Sequence, residues 1–119
     1  MITIIDYDAG NIKSVEKAFL HLGQDVRITR DRDEILSASH VVLPGVGAFG
    51  DAMRHLKEYN LVNTIYDVVD RKTPFLGVCL GMQLLGRRSE EGRLSGLGLI
   101  PFDNVRFQVE NQNLKVPHM

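Results

Sequence analysis

Three short apolar runs, at residues 2–5, 40–43 and 75–78, each lead into a glycine-bearing turn and then into apolar residues at helical spacing. Strand, turn and helix in repeated order leave few folds open. Parallel strands need long crossovers, and helices supply them on the faces of the sheet. The predicted fold class is α/β, a mostly parallel sheet with helices on both faces, and residues 1–119 form a single domain. In such sheets the loops leaving the carboxyl ends of the strands share one rim, where ligands bind. That rim would gather residues 8–11, residues 44–50 and Cys79.

In chain order, Ile2–Ile5 is a β-branched, buried first strand. Asn11 is a plausible N-cap for a helix with Ile12, Val15, Phe19 and Leu22 on one side, and Gly23 ends it. Val26–Thr29 alternates and is expected nearer the sheet edge, and residues 33–36 make one helical turn. A helix runs through Met53 and Leu56. Another spans Leu61–Asp70, where Leu61, Val62, Ile65, Val68 and Val69 form an apolar stripe. Residues 75–78 are expected to be a central, buried strand. Residues 87–92 read as a polar surface loop and 94–101 as irregular. Val105, Phe107 and Val109 alternate with polar neighbours as a one-sided strand, and residues 114–116 begin a return strand. The chain stops at Met119 with that strand barely begun. This predicts a polypeptide truncated at its C-terminus, with an uncovered sheet edge that invites self-association.

The most specific stretch is Gly77-Val78-Cys79-Leu80-Gly81, at the junction of the third run and its helix. A lone cysteine in an apolar run is usually a core residue. Glycines two before and two after it, on a strand-to-helix turn, favour a nucleophile instead, because the crowded turn admits only small neighbours there. The helix that opens after Cys79 is expected to turn free N–H groups and its positive dipole end toward the sulfur, which favours the thiolate. Gln83 lies one helical turn on, on the same face, where its amide could hydrogen-bond a polar substrate.

Pro44-Gly45-Val46-Gly47 allows two functional readings. Its glycines could bring backbone N–H groups close to a developing oxyanion. Alternatively, Gly45, Gly47 and Gly50 spell G-x-G-x-x-G after a strand, the dinucleotide fingerprint. That fingerprint also wants an acidic residue at the end of the following strand. Here Cys79 stands there, while Asp67 and Asp70 lie in the preceding helix. A thiol nucleophile further needs a general base and an acid to orient it. Of His21, His40, His55 and His118, spacing places none beside Cys79. Asp6 and Asp8 alternate at a strand end without partners that would make a metal site, and no cofactor is implied.

A formal net charge of −1 gives no electrostatic case for nucleic acid or an anionic membrane. A single cysteine excludes an internal disulfide and a cysteine-based metal cage. No apolar run approaches membrane-spanning length and no signal peptide is visible, so a reduced, cytoplasmic location is expected.

Gly77-Val78-Cys79-Leu80-Gly81-Met82-Gln83 together with Pro44-Gly45-Val46-Gly47-Ala48-Phe49 resembles the triad, or class I, glutamine amidotransferases. Ile5-Asp6-Tyr7, Gly10-Asn11-Ile12-Lys13-Ser14-Val15 and Pro117-His118-Met119 narrow the resemblance to members that feed a cyclase of histidine biosynthesis. It runs the length of the chain and implies a flavodoxin-like sheet. It also implies that Cys79 attacks the side-chain amide of glutamine, releasing ammonia and leaving a glutamyl thioester. Backbone N–H groups of Val46 and Leu80 would form the oxyanion hole, and Gly47 and Gln83 would contact glutamine. The ammonia would pass to a (β/α)8 cyclase docked over the rim. In the family the triad His and Glu form a late His-x-Glu pair. This sequence contains none, and His118 belongs to a different family segment, so the 119-residue chain is expected to be inactive alone. A non-catalytic module that binds the cyclase is the alternative. Another cysteine enzyme on a similar sheet is disfavoured by Leu80, since such enzymes place histidine directly after the nucleophile.

Overall fold

The computed structural model describes residues 1–89, 95–101 and 103–104. Four strands, β1 (Ile2–Ile5), β2 (Val26–Thr29), β3 (His40–Leu43) and β4 (Phe75–Gly77), form one parallel sheet in the order β2-β1-β3-β4. The helices are α1 (Ile12–His21), α2 (Arg32–Leu36), α3 (Phe49–Glu58), α4 (Leu61–Asp70) and α5 (Leu80–Leu84). Two-residue strands β5 (Arg88–Ser89) and β6 (Asp103–Asn104) pair in parallel apart from the main sheet. The one-sided strand at 105–109 and the return strand at 114–116 lie outside the described residues. No helix among the described residues is long and apolar enough to cross a membrane.

The register follows from strands covered on both faces. Ile2, Thr3 and Ile4 align with Val26, Arg27 and Ile28 on one side and with His40, Val41 and Val42 on the other. Val41, Val42 and Leu43 then align with Phe75, Leu76 and Gly77. The larger core lies on the side of α2, α3 and α4, where Ile5, Val41 and Leu43 meet Ile35, Leu56, Leu61, Ile65 and Val68. A smaller cluster of Ile4, Val15 and Val42 lies under α1.

The edge position expected for Val26–Thr29 is observed, and α1 ends as its glycine predicts. Gly23 has φ +79°, its N–H bonds the Leu20 carbonyl at 3.0 Å, and the Gln24 N–H bonds the Phe19 carbonyl at 3.1 Å. These two bonds satisfy carbonyls that a helix end otherwise leaves open.

Four expectations fail. Leu22 is not on the buried side of α1 but 70% exposed, because the cap carries it past the last turn. Asn11 precedes α1 but makes no capping bond; its amide is used elsewhere. In α4 the buried face includes Thr64, whose hydroxyl accepts from Arg32 at 3.3 Å, while Val62 and Val69 are only half-buried. Finally, among the described residues β4 is neither central nor fully buried. It is last in the sheet order, no described strand pairs its outer side, and Leu76 is 51% exposed.

Ile65→Ala should lower unfolding free energy in urea by about 3 kcal/mol, since it empties a fully buried site. Leu22→Ala should stay within about 0.5 kcal/mol. Equal costs for the two would contradict the burial described.

Candidate active site

The loops after β1, β3 and β4 meet at the carboxyl rim of the sheet. The Tyr7 hydroxyl donates to the Pro44 carbonyl. The Asn11 Nδ2 donates to the Gly45 carbonyl at 3.2 Å, and the Leu80 N–H reaches the same carbonyl at 3.2 Å. Residues 7–11, 44–47 and 79–80 therefore form one site, as the strand order requires.

Cys79 stands on the bend between β4 and α5 with φ 56° and ψ −122°, a conformation that side-chain-bearing residues rarely adopt. The bend is pinned on both sides. The Val78 N–H bonds the Leu43 carbonyl at 3.0 Å, and the Met82 N–H bonds the Cys79 carbonyl at 3.0 Å. The flanking glycines are dictated by contact. A Cβ on Gly81 would lie 1.9 Å from the Leu43 oxygen, and one on Gly77 would lie 2.7 Å from the Met82 Cα. The Cys79 side chain is exposed at the rim rather than sealed in the core.

The amides of the turn differ from expectation. The first three N–H groups of α5 are all engaged: Leu80 on the Gly45 carbonyl at 3.2 Å, Gly81 on the Val78 carbonyl at 2.9 Å and Met82 on the Cys79 carbonyl. Two of these bonds close the bend on itself and the third reaches the loop after β3, so no free amide is left in that turn. Val46 projects at 54% exposure, and among the described residues no acceptor meets its N–H. Gly47 has φ +97° with open space beside it, and Gln83 is half-buried one turn beyond Cys79.

The G-x-G-x-x-G spacing has a local cause. A Cβ on Gly45 would lie 2.6 Å from the Tyr7 Oη and 2.7 Å from the Gly81 nitrogen, while Gly50 is already inside α3. Asp67, a candidate ribose ligand, is paired with Arg32.

Among the described residues no hydrogen bond joins a histidine to Cys79. His40 lies at the amino end of β3, the opposite rim, with its Nδ1 3.0 Å from the Ser39 Oγ. His21 is exposed at the end of α1, and His55 lies 6.3 Å from the Tyr59 ring, centroid to centroid. His118 is outside the described residues.

Asp6 and Asp8 have a partner in Arg30, whose guanidinium lies 3.3 Å and 3.0 Å from their carboxylates and 3.9 Å over the Tyr59 ring. The Tyr59 hydroxyl also bonds Asp8. That hydrogen bond and Arg30 hold the Asp8 carboxyl below its ordinary range. Among the described residues no group of three His, Cys, Asp or Glu side chains could hold a metal. Sequence reasoning missed Tyr7. It is 2% exposed, and burial pushes its phenol well above its ordinary value, so it stays a proton donor to Pro44.

The chain belongs to the class-I glutamine amidotransferase family, whose model matches residues 3–118. Within it, the chain is 48% identical over 120 residues to imidazole glycerol phosphate synthase subunit HisH 2 of Methanococcus maripaludis. It is 50% identical to subunit HisH of Bacillus cereus over 120 residues and to that of Moorella thermoacetica over 119. These alignments cover 99–100% of this chain but 59%, 56% and 55% of the three relatives, so the chain spans a little over half their length. Among solved structures, a glutamine amidotransferase superposes with a TM-score of 0.77 at 17% identity, over 94% of this chain and 60% of that one. A putative peptidase E protein from Listeria monocytogenes superposes with a TM-score of 0.64 at 16% identity, over 83% of this chain and 62% of that one. Both share the fold.

Two predictions follow from the bend and its support. Cys79→Gly should raise stability by about 1 kcal/mol in denaturant, because glycine adopts the bend without strain; a destabilised variant would argue against strain at Cys79. In an ultraviolet alkaline titration, Tyr7 should keep its proton above pH 10, where a free phenol loses its own. An unfolded phenol ionises near pH 10, so above that pH the unfolded chain binds fewer protons and stability falls as pH rises. Ionisation of Tyr7 near pH 10 in the folded chain would contradict this.

Proposed function

We propose that this chain carries the nucleophile half of a glutaminase site and serves as a subunit of imidazole glycerol phosphate synthase, supplying ammonia to a (β/α)8 cyclase in histidine biosynthesis. The observation that carries the reading is Cys79: exposed, on a left-handed bend between glycines that cannot be enlarged, with Gly45 against Leu80 and Gly81 just after it. The class-I glutamine amidotransferase model over residues 3–118 supports glutamine as the substrate, and relatives 48–50% identical across the whole chain support the subunit assignment.

The Cys79 thiolate adds to the side-chain carboxamide carbon of glutamine. The carbonyl π electrons move to oxygen, giving a tetrahedral oxyanion. Collapse re-forms the C=O and breaks the C–N bond. The nitrogen takes a proton and leaves as ammonia, and water then cleaves the glutamyl thioester to glutamate. The proton-transfer base is the family's His, oriented by Glu. Neither occurs in a His-x-Glu pair in this sequence, so the chain alone is expected to stall. Gly47 and Gln83 contact the substrate.

Val46 and Leu80 supply the oxyanion donors, and the structure sets a condition on them. The Leu80 N–H is occupied by the Gly45 carbonyl. The Gly45–Val46 peptide is planar, with C=O and N–H on opposite sides. Turning that one unit withdraws the acceptor, frees Leu80 and brings the Val46 N–H toward the same side. The described arrangement is the resting one.

The test is a glutamine-derived chloromethyl ketone applied with and without the cyclase. Its adduct should form on Cys79 faster than on free cysteine, glutamine should slow it, and Cys79→Ala should abolish it. Labelling no faster than free cysteine in both conditions, with no complex between chain and cyclase at high concentration, would overturn the reading.

A further inference from the structure

We propose that Tyr66 is a positioning residue: from α4 its hydroxyl latches residues 96–100 onto the carboxyl end of α5, and so fixes where that helix presents Cys79. The consequence for catalysis rests on the glutaminase reading; the geometry does not.

α5 is five residues long, Leu80–Leu84. A helix that short does not hold itself together in water, and its last carbonyls have no intrahelical partner. A segment distant in sequence supplies both needs. The Leu84 carbonyl accepts the Leu97 N–H at 2.8 Å, and the Leu85 carbonyl accepts those of Leu99 and Ile100 at 3.0 Å each. The Gly86 carbonyl accepts the Gly98 N–H at 2.9 Å, and the Arg87 carbonyl accepts the Gly96 N–H at 2.7 Å. Residues 96–100 thus form a strap that closes every carbonyl from Leu84 to Arg87.

The strap lies as close as backbone allows. A Cβ on Gly96 would stand 2.3 Å from the Gly86 oxygen and 3.1 Å from the Phe49 Cζ. Phe49 is the buried first residue of α3, directly after the loop that carries Gly45 and Gly47. The strap therefore rests against both the nucleophile helix and the end of the loop facing it.

Tyr66 holds the strap from the other side. Its hydroxyl donates to the Leu97 carbonyl at 2.6 Å, across 31 positions of sequence. Leu97, buried in the larger core, gives its N–H to α5 and its C=O to α4. α4 is itself anchored in that core through Leu61, Ile65 and Val68. A ten-residue helix with a buried face thereby steadies a five-residue one. The bend at Cys79 is seated on the Leu43 carbonyl at one end of α5, and the strap is its seat at the other.

Two variants of the 119-residue chain test this. Tyr66→Phe removes one oxygen. Amide hydrogen exchange at Leu97 and Gly98 should speed up about fivefold, the equilibrium weight of one ordinary hydrogen bond. Gly81 and Met82, whose amides close the bend, should accelerate with them, while the Asp6 amide at the end of β1 keeps its rate. In Gly96→Ala the strap must move off by about 1 Å to seat the methyl. Cys79 labelling by the glutamine-derived chloromethyl ketone is then compared with labelling by iodoacetamide, which needs only an accessible thiol. The ratio of the two rates should fall at least about tenfold, as misplacement on that scale does to oriented reactions.

Faster exchange at Leu97 with Gly81 and Met82 unchanged overturns the proposal, because the strap would then be uncoupled from the bend. Equal acceleration at Asp6 also overturns it, since that is what a merely structural loss gives. So does an unchanged labelling ratio in folded Gly96→Ala. If the parent chain shows no preference for the glutamine reagent, the glutaminase reading fails, and exchange in Tyr66→Phe still decides the role of Tyr66. Should Gly96→Ala not fold, the same exchange measurement decides alone.

Discussion

The Leu43 carbonyl is where the structure is least forgiving. It accepts the Val78 N–H at 3.0 Å and leaves 1.9 Å to the place a Gly81 methyl would occupy. The end of β3 thus serves as the seat for the bend after β4. Because the two strands are parallel neighbours, their carboxyl ends arrive together, and the loop leaving β3 meets the start of α5 just after the cysteine. A parallel sheet makes that meeting automatic, and the glycines make it close.

Closeness alone does not make a reactive arrangement. The bend keeps Cys79 at positive φ with its side chain exposed, but the first amides of α5 are all taken, Gly81 and Met82 within the bend and Leu80 by the loop after β3. The Leu80 N–H, an oxyanion donor only in the proposed reading, is occupied by the Gly45 carbonyl. The site is therefore preorganised in position and closed in hydrogen bonding. The first loop holds that carbonyl through Asn11 and its predecessor, on Pro44, through Tyr7.

Much of this was legible in the sequence. The alternation of short β-branched runs with amphipathic segments specified the parallel sheet, and G-x-C-x-G specified the bend, because each rests on local sterics. What was not legible depends on contacts distant in sequence. Asn11 before a helix reads as a cap, yet the same side chain can donate as readily to a carbonyl on another loop. Tyr7 carries no pattern at all; only the fold shows its phenol against Pro44. Leu22 fits the helical period but falls beyond the cap, and Thr64 breaks the apolar stripe because Arg32 reaches its hydroxyl. The acidic pair at 6 and 8 looked partnerless because Arg30 belongs to the next strand end.

The most direct measurement is the urea unfolding of Gly81→Ala, read together with Cys79 labelling. If the Leu43 carbonyl is the seat of the bend, one added methyl should cost at least about 3 kcal/mol and slow reaction of the thiol with the glutamine reagent. A variant as stable as the parent and labelled at the same rate would show that the bend does not rest on Leu43, and the account built on it would fall.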